Sequence, residues 1–222
     1  MRNDTYTLSG IPQAALATNK LIRNTYMLLS MTLLFSAATA TFAVLTRAPM
    51  LPWWMVLLGY WGLLFVTQSL RNSAAGLIAI FALTGFMGYT LGPIVGFYLK
   101  LANGAQIVGT AMGGTGAIFL GLSAYALSSR RNFSFMGGFL MVGILVAFLA
   151  GLGAILFQIP ALSLAVSAMF ILLMSGLILY QTSEMVHGGE DNYIMATIGL
   201  YVSIYNLFTS LLQILGVLGG DD

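Results

Sequence analysis

The sequence has very few charged residues. Charged side chains make up 6% of its 222 residues, whereas hydrophobic side chains make up 59%. Between Tyr26 and Tyr180 the chain contains cations but not one anion. About a quarter of the residues of a soluble domain are charged. The shortage of charge therefore excludes an ordinary soluble fold and predicts a protein embedded in a lipid bilayer, where backbone polar groups are satisfied within helices.

Cysteine is absent, and the only histidine is His187. The lack of cysteine excludes disulfides, thiolate nucleophiles and cysteine metal sites. A single histidine without a second nitrogen ligand argues against a metal centre. His187 could pair with Glu190 or Asp191 as acid and base, but no nucleophile accompanies them. We predict no catalytic residues, no metal, no cofactor and no enzymatic activity, and the net charge of +2 gives no indication of nucleic-acid binding.

The apolar runs between the charges are long enough to cross a bilayer, which takes about 20 helical residues. We predict an all-α, polytopic membrane protein with a polar, cytoplasmic tail over residues 1–24 and one transmembrane domain over residues 25–222. The fifth and sixth spans have no charge between them, so they could instead form a re-entrant hairpin. The seven predicted spans are Tyr26–Leu45, Pro52–Ser69, Ala74–Leu99, Ala105–Leu127, Phe135–Phe157, Ala161–Val186 and Tyr193–Leu218.

The distribution of cations predicts the orientation of these spans. Cytoplasmic loops of membrane proteins carry an excess of lysine and arginine. The N-terminus is therefore expected in the cytoplasm and the C-terminus on the opposite side, with no cleavable signal peptide before the first span. Two cations, Arg47 and Lys100, fall on the C-terminal side, whereas the N-terminal side has six: Arg2, Lys20, Arg23, Arg71, Arg130 and Arg131.

Glycine is abundant, with 26 residues, and many glycines are spaced four apart. Small residues at this spacing let helix backbones approach closely in lipid. We predict packing ridges, with gating hinges as the alternative, and a kink at Pro93 in the third span. Gly188 and Gly189 are expected to end the sixth helix. The predicted ridges are Gly88, Gly92 and Gly96 on the third span; Gly109, Gly113, Ala117 and Gly121 on the fourth; and Gly143, Ala147 and Gly151 on the fifth.

Polar residues collect on the last two spans. One face of the last span carries Ser203, Asn206, Ser210 and Gln213, which we call the α7 stripe. Because polar side chains should face protein or water rather than lipid, the seventh helix is predicted to be central. Gln181 and Glu184 are one turn apart on the sixth span and could join the stripe to line a polar crevice. The crevice could be a set of interhelical hydrogen bonds or a path for a solute or ion.

Three segments carry a family resemblance: TGFMGYTLGPIVGFY (Thr84–Tyr98), AMGGT (Ala111–Thr115) and LYVSIYNLFTSLLQIL (Leu200–Leu215). They resemble the Bax inhibitor-1 family, and in particular its proteobacterial YccA branch, and the similarity extends over nearly the whole chain from Asn19. The resemblance implies a seven-helix fold with the last helix central, in a bacterial inner membrane. It also implies a role as a substrate and modulator of FtsH, a membrane-anchored AAA+ protease.

The sequence departs from the family at two positions. Other bacterial members of the family that this chain resembles behave as pH-sensitive calcium leak channels, in which two aspartates on spans six and seven share a proton and latch the pore. Gln181 and Ser203 occupy those positions here. Neither side chain ionises, so the resemblance implies no pH-dependent latch, and calcium prefers carboxylate oxygens that only Glu184 could supply nearby.

Two functional hypotheses follow. The first is a regulatory protein of the bilayer that binds an FtsH-type protease and competes as a slowly processed substrate, gripped by its N-terminal tail. The alternative is a leak channel for calcium or another cation through the predicted crevice. An enzyme acting within the membrane has no residue set to support it.

Overall fold

The structure is a computed structural model, and it describes residues 13–129 and 131–219. Within these ranges the chain forms no β-strand. The described elements are α1 (Gln13–Leu45), α2 (Trp53–Ser69), α3 (Ala74–Tyr98), α4 (Gly104–Ser129), a 3₁₀ turn (Ser134–Met136), α5 (Gly137–Leu156), α6 (Pro160–His187) and α7 (Tyr193–Leu218).

Six of these helices, all except α2, are long and apolar enough to cross a membrane. The chain is therefore a helical membrane bundle, with six helices of clear spanning length rather than the predicted seven. Helix α2 has 17 residues, and at about 1.5 Å per residue it falls short of the roughly 30 Å of hydrocarbon in a bilayer. Helices α5 and α6 are separate, with 20 and 28 residues, so each is long enough to cross by itself.

The helix ends follow local sequence signals. Helix α6 ends at Gly188, whose φ of 80° is left-handed, and the N–H of Gly189 donates to the carbonyl of Glu184 at 2.9 Å. This is the expected glycine cap. Helix α7 begins after Asn192, whose Oδ1 accepts from the backbone N–H groups of the next turn.

Helix α1 begins earlier than the first predicted span. It starts at Gln13 rather than near Tyr26, because residues 14–17 are alanine and leucine and no helix breaker separates them from the apolar run. The predicted polar tail is thus helical from residue 13 onward. Met1–Pro12, including Arg2, and Arg130, Gly220, Asp221 and Asp222 lie outside the described residues.

Helix α7 is the most deeply buried of the six long helices. It packs against α1, α3, α4 and α6, while α2 packs mainly on α3 and α5 mainly on α6. Apolar side chains from several helices meet around it, including Leu29, Leu83, Ile178 and Leu207. The last helix therefore contacts most of the other helices of the bundle.

The glycine ridges differ in what they contact. On α3, a Cβ added to Gly88 would overlap the backbone carbonyl of Ser36, and one on Gly92 would lie 2.5 Å from the Cβ of Ala43. Helices α1 and α3 are therefore close along this ridge, although at Gly96 the nearest atom would be 3.8 Å away, on Val44. Pro93 lies inside a continuous α3, and the kink there stays a prediction.

The ridge on α4 does not pack as predicted. Nothing lies within 4 Å of a Cβ added to Gly109, Gly113 or Gly121, and Ala117 between them is exposed. This prediction was wrong because four-residue spacing identifies a smooth helix face but not its neighbour, and α4 turns the opposite face, with Ala111, Thr115 and Phe119, toward the protein.

Three connections meet at one end of the bundle, which we call the α6–α7 end. The Nδ2 of Asn192 donates to the carbonyl of Arg71 and to Oδ1 of Asn72, at 3.1 and 2.9 Å. The N–H of Phe133 donates to Ser183 Oγ at 2.9 Å. Side-chain hydrogen bonds therefore join the α2–α3 connection to the α6–α7 connection, and the α4–α5 connection to the end of α6.

Candidate functional site

Gln181 and Ser203 are in direct contact. Ser203 is fully buried, and its Oγ lies 3.2 Å from Gln181 Oε1 and 3.0 Å from the carbonyl of Gly199. A Cβ on Gly199 would lie 2.8 Å from Gln181 Nε2, so the missing side chain at this glycine makes room for the amide. Sequence reasoning paired Gln181 and Ser203 only through the family resemblance, and it missed Gly199, one helical turn before Ser203.

Gln213 is hydrogen-bonded to the opposite half of α6. Its Oε1 accepts from Ser167 Oγ at 2.7 Å, and its Nε2 donates to Ser163 Oγ at 2.5 Å. The two serines are four residues apart and so share one face of α6. They were not predicted as site residues, although an i, i+4 pair of serines in an apolar helix is a usable signal for an interhelical polar contact.

The two remaining members of the α7 stripe lie between these contacts. Asn206 is half-buried, and its Nδ2 donates to the carbonyl of Val202 at 2.8 Å, within the same helix. Ser210 is buried. With Ser203 and Gln213, the four side chains extend over about 15 Å along the axis at 1.5 Å per residue. The stripe thus runs along the seam between α6 and α7.

Glu184 is not part of this seam. Its Oε1 accepts from Ser134 Oγ at 2.5 Å, which places the carboxylate against the 3₁₀ turn at the α6–α7 end. The neighbouring His187 has its Nδ1 2.9 Å from the carbonyl of Ser183. Among the described residues, no group of three His, Cys, Asp or Glu side chains could hold a metal ion.

A second buried polar contact was missed by sequence reasoning. Tyr201 Oη lies 2.6 Å from Ser36 Oγ and donates to the carbonyl of Thr84 at 3.2 Å. Because the phenol proton is used on Thr84, the Ser36 hydroxyl is the donor to Tyr201. This contact joins α1, α3 and α7. Tyr201 could have been recognised as a tyrosine in an otherwise apolar run, since a buried phenol needs a partner.

The predicted crevice residues do not line either of two cavities formed by the described residues. One has a volume of about 740 Å³ and lies between the ends of α1 and α3. The other has a volume of about 440 Å³ and is bordered mainly by apolar side chains of α1, α3, α4 and α7. Gln181, Ser203 and Gln213 instead take part in hydrogen bonds between α6 and α7, so their geometry is that of a hydrogen-bonded seam.

Comparison with known proteins is consistent with these features. The family model described as "Inhibitor of apoptosis-promoting Bax1" matches residues 18–220. The chain belongs to the Bax inhibitor-1 family. It is 51% identical to an uncharacterised protein of Pseudomonas aeruginosa over 222 residues, which is all of both chains. It is 50% identical to the Escherichia coli K12 protein named "Modulator of FtsH protease YccA" over 206 residues, covering 93% of this chain and 94% of that one.

The chain is also similar to a relative from a third genus. A membrane protein of Vibrio cholerae is 43% identical over 224 aligned positions, again covering all of both chains. Since each of these relatives matches almost from end to end, the similarity extends over the segments that form all seven helices of this Bax inhibitor-1 family member.

Proposed function

We propose that the chain crosses a bacterial inner membrane seven times, with its N-terminus in the cytoplasm and its C-terminus in the periplasm. The support for α2 as a crossing is its position. It begins near Met50, which lines the same cavity as Lys100, and it ends near Asn72, which is bonded to Asn192 at the α6–α7 end. A helix that connects the two ends of the bundle crosses most of the hydrocarbon.

The charges support the same orientation. Arg71 and Arg131 lie in connections at the α6–α7 end, and Lys20 and Arg23 precede Thr25, whose carbonyl accepts from Thr197 near the start of α7. Of the described cations, only Arg47 and Lys100 lie at the opposite end. An excess of cations at the α6–α7 end favours a cytoplasmic position for it. An Escherichia coli relative, 50% identical, is named an inner membrane protein, which favours the same membrane here.

Within that membrane the chain acts as a regulatory partner of an FtsH-type AAA+ protease, as a competing substrate that is processed slowly. The observation that carries this proposal is the 50% identity, over 94% of its length, with the relative named as a modulator of FtsH. A modulator that competes as a substrate needs an accessible tail and a body that resists unfolding.

The contacts of α1 give a physical reason for slow processing. A protease pulling from the N-terminus would have to extract α1 first. This helix lies against α3 along Gly88 and Gly92, and its Ser36 is bonded to Tyr201 of α7. Removing α1 would break both contacts at once and expose buried hydroxyls to lipid, where an unsatisfied polar group is costly.

The alternative, a calcium or cation leak, has less support. Gln181 and Ser203 are bonded to each other, carry no charge, and border neither described cavity. Calcium binding would need several oxygen ligands, preferably carboxylates, and the carboxylate of Glu184 is bonded to Ser134 away from the seam. Absence of calcium flux in liposomes at both acid and neutral pH would eliminate this alternative.

The protease proposal is tested by deleting residues 2–12, which leaves the described part of α1 intact. The chain is reconstituted with an FtsH-type protease, ATP and an unrelated membrane substrate, and the half-life of that substrate is measured. We expect the full chain to lengthen the half-life of that substrate severalfold. The deleted chain should leave the half-life near its value without added protein, because the protease can no longer engage the N-terminal segment.

A variant with residues 2–12 in scrambled order is the matched control. It should inhibit as well as the natural chain if the protease engages this segment by its length rather than by the order of its residues. Equal inhibition by the full and the deleted chains would contradict the proposal.

A further inference from the structure

The larger cavity lies where α1 and α3 end, away from the α6–α7 end. It has a volume of about 740 Å³, and its walls combine two cations with apolar groups. Arg47 and Lys100 supply the charge, and Val44, Phe97 and Gly92 are among the apolar residues of the lining. The cavity thus combines cationic and apolar side chains at one end of the bundle.

The backbone at Arg47 holds this side chain at the edge of the cavity. Arg47 has a left-handed φ of 51°, and the N–H of Ala48 donates to the carbonyl of Ala43 at 2.9 Å. This is the helix-ending motif in which glycine is usual. An arginine in the left-handed region incurs a backbone strain that glycine would avoid, and such strain is concentrated at active sites and ligand-binding sites.

Among the described residues, Arg47 and Lys100 have no counter-charge at their end of the bundle. Every carboxylate of the described residues, on Glu184, Glu190 and Asp191, belongs to the α6–α7 end instead. The cavity is therefore a concentration of positive charge at an otherwise uncharged end of the described bundle.

We propose that this cavity binds an anionic phospholipid, with the phosphate between Arg47 and Lys100 and an acyl chain along Val44 and Phe97. A lipid fits better than a soluble phosphate because the site lies at the ends of two membrane-crossing helices. Trp53 and Trp54 are exposed and follow shortly after Met50, which lines the cavity. They therefore lie at about the same depth in the membrane as the cavity. Tryptophan is enriched at the headgroup level of membranes, and arginine is suited to bidentate contact with phosphate.

The test is native mass spectrometry of the full chain titrated with phosphatidylglycerol, with phosphatidylcholine, or with inorganic phosphate. We expect one phosphatidylglycerol to be retained in preference to phosphatidylcholine, whose ammonium group cancels the headgroup charge. The double variant Arg47→Gln/Lys100→Gln should weaken this retention about tenfold or more, since charge-assisted hydrogen bonds are lost.

Two further variants control for folding and for charge. Lys20→Gln/Arg23→Gln removes the same two residue types from α1 at the other end and should leave retention unchanged. Arg47→Lys/Lys100→Arg keeps the charge and should keep most of the binding. Equal loss in the Lys20/Arg23 variant, no selectivity over phosphatidylcholine, or displacement of the lipid by inorganic phosphate would each overturn the proposal.

Arg47→Gly separates a ligand role from a structural one. Glycine relieves the left-handed strain, so the midpoint of thermal unfolding should stay the same or rise while retention of phosphatidylglycerol falls. If both fell together, or if retention did not change, Arg47 would not be a lipid ligand.

Discussion

Replacing Gly88 by alanine is expected to lower the free energy of unfolding by about 2 kcal/mol or more, because overpacking a tight contact forces backbones apart. A Cβ at this position would overlap the carbonyl of Ser36 and the hydroxyl of Thr39, and would lie 2.7 Å from Ser36 Oγ. A backbone carbonyl cannot rotate away, so α1 and α3 must separate. The change should appear as a fall of about 5 °C or more in the thermal midpoint, measured by tryptophan fluorescence.

Gly113→Ala is the matched control for this prediction. It is the same substitution in a helix of the same bundle, but nothing lies within 4 Å of the added Cβ. Alanine has a higher helix propensity than glycine by about 1 kcal/mol, so this variant should be neutral or more stable. Equal destabilisation by both substitutions would mean that α1 and α3 are not in the described contact.

Replacing Gln181 and Ser203 together by aspartate should make stability depend strongly on pH. The two side chains are in contact, and position 203 is fully buried. Two carboxyls this close share one proton at acid pH, and losing that proton leaves like charges together in a dry seam. The folded variant then binds more protons than the unfolded one, so its stability falls as the pH rises. We expect a loss of about 3 kcal/mol or more by pH 8, the magnitude for an uncompensated buried charge.

The control is Gln181→Asn/Ser203→Asn, which matches aspartate in shape but cannot ionise. Because neither asparagine titrates, the seam should add no pH dependence. The thermal midpoint of this variant should therefore change between pH 5 and pH 8 no more than that of the natural chain. A pH-dependent midpoint in the asparagine variant equal to that of the aspartate variant would show that the dependence arises elsewhere.

Much of the fold could be predicted from the placement of charge and caps. Arg71 and Arg131 lie in connections, and Gly188 ends α6 with a left-handed φ, as expected. These features can be read from local sequence, because every segment that crosses the bilayer must satisfy its own backbone polar groups within a helix. The start of α1 was not predictable in this way. A helix can continue past the membrane surface, and nothing in the residues after Pro12 forbids it.

Packing partners were harder to predict than packing faces. Gly88 and Gly113 have equivalent neighbours in sequence, with a small residue four positions away, yet the first meets α1 and the second has no protein neighbour within 4 Å. Spacing identifies which side of a helix is smooth. It contains no information on which other helix approaches that side, because this depends on the arrangement of the whole bundle.

The polar residues show the same limit. The α7 stripe was predicted as one face, but its partners Ser163 and Ser167 were not, since serine is common in membrane helices and its contacts are set by the neighbouring helix. Glu184 was grouped with the stripe from its distance in sequence to Gln181. In the structure it faces Ser134 instead, because the two residues lie at different depths along α6.

The central claim is that the α7 stripe lies in a hydrogen-bonded seam that excludes water, and cysteine labelling tests it most directly. The chain has no cysteine, so a single replacement has no background. Ser203→Cys and Ser210→Cys should not react with a charged, water-soluble maleimide, whereas Ser73→Cys and Ala102→Cys, both exposed and in connections at opposite ends, should react fully. Rapid labelling at position 203 or 210, at rates close to those of the exposed positions, would show a water-filled path and contradict the account.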